Sequence, residues 1–142
     1  MNPLPIKPFA KLLLATSLCL SAPPVFAVEW VNVTANPVGD RFFIDKSSVQ
    51  RKDSNVWYWE YREFPQANNA FLEEAVDQPV HGVVLSWSAN CTSKTQRLRQ
   101  VTAYNKERAV IRRFTYGDTG TLHQPAPESS AGKVLKSVCD LK

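Results

Sequence analysis

Residues 83–91 alternate without a break. Val83, Leu85, Trp87, Ala89 and Cys91 fall on one side of the chain, and Val84, Ser86, Ser88 and Asn90 on the other. A period of two marks a strand with one buried face, and here it turns Cys91 towards the apolar side. The run 56–64 also reads as a strand. It places Trp57, Trp59 and Tyr61 on one side and Val56, Tyr58 and Phe64 on the other, with Glu60 and Arg62 between them. Large exposed apolar patches are uncommon, so the Trp57–Trp59–Tyr61 side is expected to face the core. An exposed aromatic row that binds a peptide, a glycan or a partner sheet is the alternative.

Four further strand-like runs surround these two: Trp30–Thr34, Arg41–Asp45, Thr95–Tyr104 and Ala109–Tyr116. Asn36-Pro37-Val38-Gly39-Asp40 is turn chemistry, so the first pair predicts a hairpin, and Asn105–Arg108 predicts a turn between the last pair. The polar stretch 46–55 holds room for a single helical turn started by Ser47 and Ser48. The connection Pro65–His81 is long and irregular, with a short helix expected over Ala70–Val76, and such a length suits a functional loop or a lid over sheet surface. After the Gly/Pro-rich stretch 117–128, a serine of the Pro127-Glu128-Ser129-Ser130 segment is the expected N-cap of a helix. Ala131, Val134, Leu135 and Val138 form its apolar stripe, and Cys139 borders that stripe.

The first 27 residues are set apart. Lys7 and Lys11 precede a short apolar run, Leu12–Leu20, and Val25-Phe26-Ala27 places small residues where a signal peptidase cuts. Residues 1–27 are therefore expected to be a signal peptide and 28–142 a single exported domain, in the periplasm or at the cell surface. No apolar run is long enough for a transmembrane helix. Leu18, in place of a small residue, argues against lipid attachment at Cys19. Two of the 3 cysteines, Cys91 and Cys139, then remain, and in an oxidising compartment an even count favours a disulfide. A helix packed on the apolar face of the sheet brings both sulfurs to the same place. A pair of buried free thiols is the alternative.

The chain carries a formal net charge of +4, and the two lysines of residues 1–27 contribute to it. Its distribution matters more. Lys94, Arg97, Arg99, Lys106, Arg108, Arg112 and Arg113 crowd into 91–117 against Glu107 alone, whereas 53–77 holds six carboxylates against Arg62 alone. Pairing between neighbouring strands would neutralise both stretches. A solvated basic face is the other outcome, and Lys94, Arg97, Arg99, Arg112 and Arg113 are its candidate partner-binding residues. Export makes nucleic acid a poor partner despite the basic charge.

Catalytic signatures are missing: there is no Gly-rich phosphate loop, no GxSxG and no HExxH. His81 and His123 are far apart and read as solvent-facing loop residues, so neither a metal site nor a cofactor is expected. Glu73-Glu74 reads as solvated charge. The residues point to a non-enzymatic binding module.

Several short elements, in order, carry a family resemblance. Phe42-Phe43-Ile44-Asp45 is followed by Ser48-Val49, Asn90-Cys91 ends the alternating strand, Tyr104 follows, and Pro127, Ser129 and Ser130 lead to Val138-Cys139. In this the chain resembles the surface-adhesin protein E family of bacterial exported proteins. The resemblance implies an α+β fold, a curved antiparallel sheet of about six strands with a C-terminal helix tethered to one face by the Cys91–Cys139 disulfide. It implies binding of host matrix and serum proteins such as vitronectin and laminin, and it leaves open a haem-type small-ligand site between helix and sheet and a homodimer through unpaired sheet edges. Where the family's adhesin has a Lys-Arg pair before the Cys-bearing strand, Pro65–Val80 has no basic residue. Contacts with host or envelope proteins are the expected partners.

Overall fold

The computed structural model describes residues 27–142; residues 1–26 of the expected signal peptide, Cys19 included, lie outside the described residues. Strands β1 (Trp30–Ala35) and β2 (Arg41–Asp45) form the expected hairpin, followed by β3 (Gln50–Lys52), β4 (Asn55–Glu63), β5 (Gly82–Asn90), β6 (Thr95–Tyr104), β7 (Val110–Thr115) and β8 (Leu122–His123). All pairings are antiparallel, in the order β1-β2-β4-β5-β6-β7, with β3 on β4 and β8 on β6. The six main strands are the six read from the sequence. Among the described residues one α-helix, α1 (Ser130–Asp140), lies against β1, β2 and β4.

The two short strands explain how long neighbours are served. The first half of β4 pairs with β3 and the second half with β2. The chain steps from one to the other at a corner built from the Ile-Asp…Ser element. The Asp45 carboxylate accepts from the backbone N–H of Glu29 (3.0 Å) and Ser47 (3.0 Å). The Ser48 hydroxyl donates to the Asp45 carbonyl (2.7 Å) and accepts from the Trp59 N–H (3.0 Å). Backbone groups that no ladder reaches are satisfied by these side chains, as buried polar groups require.

The inner face of the sheet holds the core: Phe42, Ile44, Val56, Tyr58, Val83, Leu85, Trp87, Ala89, Val101, Ala103 and Phe114. Helix α1 adds Val134, Leu135 and Val138, each contributing roughly 1.5–3 kcal/mol relative to exposure. Its N-cap is Ser129, whose Oγ accepts from Gly132 N–H at 3.1 Å. Gly132 is obligatory for close approach, because a Cβ there would come within 2.0 Å of the Ala126 carbonyl oxygen.

At the other end of α1, Cys139 is bonded to Cys91, with Cα atoms 5.7 Å apart. Beside the bridge, Arg51 of β3 points one guanidinium nitrogen at the carbonyls of Val138 (3.2 Å), Cys139 (2.6 Å) and Leu141 (3.1 Å). The Val138 carbonyl also accepts from the Leu141 N–H (3.3 Å), and Arg51 adds a cation at the negative end of the helix macrodipole, where carbonyls lack helical partners.

The expectation for β4 is corrected. Trp57 is 39% exposed and Trp59 and Tyr61 are half-buried on the outer face, while Val56, Tyr58 and Glu60 are fully buried. The inner face tolerates charge because the charges neutralise each other. Glu60 accepts from Arg62 Nε (2.8 Å) and Nη2 (3.3 Å) and from the Trp87 indole N–H (2.7 Å). The Arg62 guanidinium is sandwiched by the rings of Phe42 (5.2 Å) and Phe71 (5.0 Å). Nearby, the Tyr58 hydroxyl donates to Gln96 Oε1 at 2.8 Å, and burial, aided by the Glu60 charge, pushes that phenol well above its usual range.

Candidate functional site

Two surfaces compete for function, the open outer face of the sheet and a cleft on the inner face. On the outer face, β6 presents Arg97 opposite Ser88, and Ser88 in turn lies opposite Trp57. A bulge between Ser86 and Trp87 on β5 leaves Arg99 as the extra residue on β6. Its side chain stays on the outer face, donating to Ser88 Oγ at 2.8 Å and pairing with Asp118. Arg97 donates to the Gly120 carbonyl (2.8 Å), and together with Trp57, Arg99 and Leu122 it lines an open depression of about 260 Å³. Arg113 of β7 lies opposite Thr102 and donates to its hydroxyl at 3.2 Å.

Three of the five candidate basic residues therefore share the outer face. Arg112 alternates to the inner side, its guanidinium 5.1 Å from the Phe114 ring centre. Lys94 sits in the turn after β5 at φ 56°, next to the disulfide. The expectation that neighbouring strands cancel the two charged stretches does not hold. Strand β5 separates β4 from β6, and none of the four ion pairs among the described residues joins the stretches.

The cleft has a volume of about 370 Å³ and lies between the sheet, the 65–81 connection, the 121–125 segment and the start of α1. Arg62, Phe71, Trp87, Leu98, Tyr116 and His123 line it. The 65–81 connection covers it as a lid without the helix expected at Ala70–Val76, where turns and bends replace it. A segment that short cannot offset helix nucleation, and side chains fix it instead. Asn69 spans it, donating to the Gln78 carbonyl (2.9 Å) and accepting from Val80 N–H (3.0 Å). The Tyr116 hydroxyl donates to Glu74 at 2.8 Å, and burial together with this bond pushes the Tyr116 phenol up. Glu73-Glu74 is thus partly engaged rather than simply solvated.

His81 departs from the solvent-facing reading, half-buried against the Phe64 carbonyl (3.0 Å). His123 is exposed as expected, but on the short strand β8 rather than in a loop, edge-on to Trp87 at 5.8 Å. Among the described residues no group of His, Cys, Asp and Glu is arranged to hold a metal ion, and no helix is long and apolar enough to cross a membrane.

The family model described as Surface-adhesin protein E matches residues 30–140, spanning all eight strands and the disulfide. The chain belongs to the surface-adhesin protein E family. Membership supports an adhesin-like, non-enzymatic surface protein. The fold is similar to that of Haemophilus influenzae protein E in crystal form II, at 14% identity and a TM-score of 0.54, covering 83% of this chain and 93% of that one. A second Haemophilus influenzae protein E structure is similar at 13% identity and a TM-score of 0.52, covering 83% of this chain and 89% of that one. At such identities the likeness establishes the fold. No curated protein sequence matches the chain. The Ile-Asp…Ser element and the two cysteines that carry the sequence resemblance are the corner and the clamp described above.

Proposed function

We propose that the protein is an exported binding module, in the periplasm or at the cell surface, that holds a host or envelope protein on the outer face of its sheet. One observation carries this reading: Trp57, 39% exposed, stands beside Arg97 and Arg99 on a face that α1 leaves open. Tryptophan and arginine are the side chains that most often anchor protein interfaces. An acidic partner surface would meet Arg97 and Arg113, which make no ion pair among the described residues, and the exposed Asp118 leaves Arg99 only partly neutralised. Reversing Arg97, Arg99 and Arg113 to glutamate is expected to weaken binding to immobilised matrix proteins at least about tenfold, a loss of about 1.4 kcal/mol or more. Unchanged binding by the folded triple variant would remove the outer face from the function.

The cleft supports a second reading, a small-ligand site. Its volume of about 370 Å³ is near the lower end of ligand pockets, roughly 300–1,000 Å³, and its wall offers one imidazole, His123. This suits a ligand smaller than a porphyrin. Haem titration is expected to leave the haem spectrum unchanged; a spectral shift abolished by His123→Ala would instead establish haem as the ligand.

A further inference from the structure

A second depression on the outer face, of about 380 Å³, lies far from the Arg97 patch along the strands, where β4, β5 and the β6–β7 turn meet. Its walls are aromatic. The Trp30 and Tyr61 rings lie 5.8 Å apart at 52°, and Phe43 stacks behind Tyr61 at 5.7 Å, bracing it. Tyr104 lines the opposite side.

A glycine lets Tyr61 form the floor. Gly82 lies between Glu63 and Tyr104 in register. A Cβ there would come within 3.1 Å of the Tyr61 ring and 3.2 Å of its hydroxyl, so Tyr61 lies across the space a side chain would fill.

The rim is basic. Lys106 and Arg108 are exposed on the β6–β7 turn and make no ion pair among the described residues. The turn is fixed by Asn105, whose side-chain oxygen accepts from the N–H groups of Glu107 (3.1 Å) and Ala109 (2.9 Å). Glu63, the lining carboxylate, is already bonded to Arg41 at 2.5 Å. Arg108 and Tyr61 line the same depression; burial and Glu63 push the Tyr61 phenol up while the Arg108 cation pulls against them. His81, also in the lining, donates through Nδ1 to the Phe64 carbonyl at 3.0 Å.

This combination selects a ligand class. The negative faces of aromatic rings attract the polarised C–H face of a sugar ring. Unpaired Lys and Arg at the rim recognise a carboxylate. The lining has little of the aliphatic surface that an apolar peptide anchor would fill. We infer that the depression bounded by Trp30, Tyr61, Tyr104, Lys106 and Arg108 binds an acidic sugar residue of an oligosaccharide. The site shares no lining residue with the Arg97 patch, so each can fail without the other.

The test is calorimetric titration of the purified protein with trigalacturonic acid, with maltotriose as the neutral sugar and hexaglutamate as the acidic non-sugar. Trigalacturonic acid is expected to bind, with maltotriose and hexaglutamate each at least about tenfold weaker. Trp30→Ala should weaken trigalacturonate binding about tenfold, about 1.4 kcal/mol. Lys106→Gln with Arg108→Gln should abolish the preference for the acid over maltotriose, and the outer-face triple reversal should change neither. Trp30, Lys106, Arg108 and Arg113 are exposed and Arg97 and Arg99 half-buried, and circular dichroism checks that the variants fold. Hexaglutamate binding as tightly as the sugar would overturn the inference in favour of an acidic-peptide site. So would a lack of response to Trp30→Ala, or no binding of trigalacturonic acid.

Discussion

Replacing Cys91 and Cys139 together by alanine is expected to lower the unfolding free energy by about 4 kcal/mol, because the bond closes a loop with a sequence separation of 48 residues. Single domains hold only about 5–15 kcal/mol in total, so the midpoint of thermal unfolding should fall by an amount on the order of 15 °C. The effect should be uneven across the molecule. Without the bridge, α1 keeps Val134, Leu135 and Val138 in the core and its last carbonyls on Arg51. The helix should therefore stay docked at low temperature but exchange its amide hydrogens faster than β4 and β5. Calorimetry and hydrogen exchange on the oxidised and double-alanine proteins measure both effects. A loss below about 1 kcal/mol would mean that the apolar stripe and the Arg51 cap hold the helix unaided, leaving the clamp without an energetic role.

The second large effect is expected at Glu60. Glu60→Leu leaves the Arg62 cation and the Trp87 N–H without their acceptor on the inner face. Breaking one side of a buried pair in this way costs roughly 3–5 kcal/mol. The cost arises mainly from the charge left behind, so Glu60→Leu combined with Arg62→Leu should be less destabilised than Glu60→Leu alone, despite carrying one more substitution. Glu60→Gln, which can still accept from Trp87, should fall between wild type and Glu60→Leu. Urea unfolding of wild type, Glu60→Leu, Arg62→Leu and the double variant forms a double-mutant cycle, with Glu60→Gln as its internal control. If the double variant proves the least stable of the set, the pair is stabilising in its own right and this account of the inner face is wrong.

The same pair shows where the sequence misleads. Strand β5 was legible because one face is uniformly apolar, and α1 because its stripe is unbroken; together they located the disulfide. Strand β4 was read inside out. Its aromatic side, Trp57, Trp59 and Tyr61, has the composition of a core, and its other side carries Glu60 and Arg62, the composition of a surface. Charge two residues apart on a strand shares a face, so the pairing was available in the spacing, but burial of the pair depends on Phe42, Phe71 and Trp87 from elsewhere in the chain. Strands β3 and β8, of 3 and 2 residues, are too short for any period. The lid is held by side-chain bonds from Asn69 and Tyr116, which leave no pattern. The basic stretch was visible as composition. Its division between two faces became readable only with the register, including the bulge that keeps Arg99 beside Arg97.

The position of the bridge has a further consequence for how the fold withstands proteolysis. Cys91 and Cys139 bracket β6, β7 and the exposed turn that carries Lys106 and Arg108. A trypsin-like cut after either of these residues severs the chain between two strands, yet both fragments remain covalently joined through the sulfurs. The nicked molecule can keep its β6–β7 pairing in place, and with it the placement of Arg97 and Arg113, losing only the continuity of a turn.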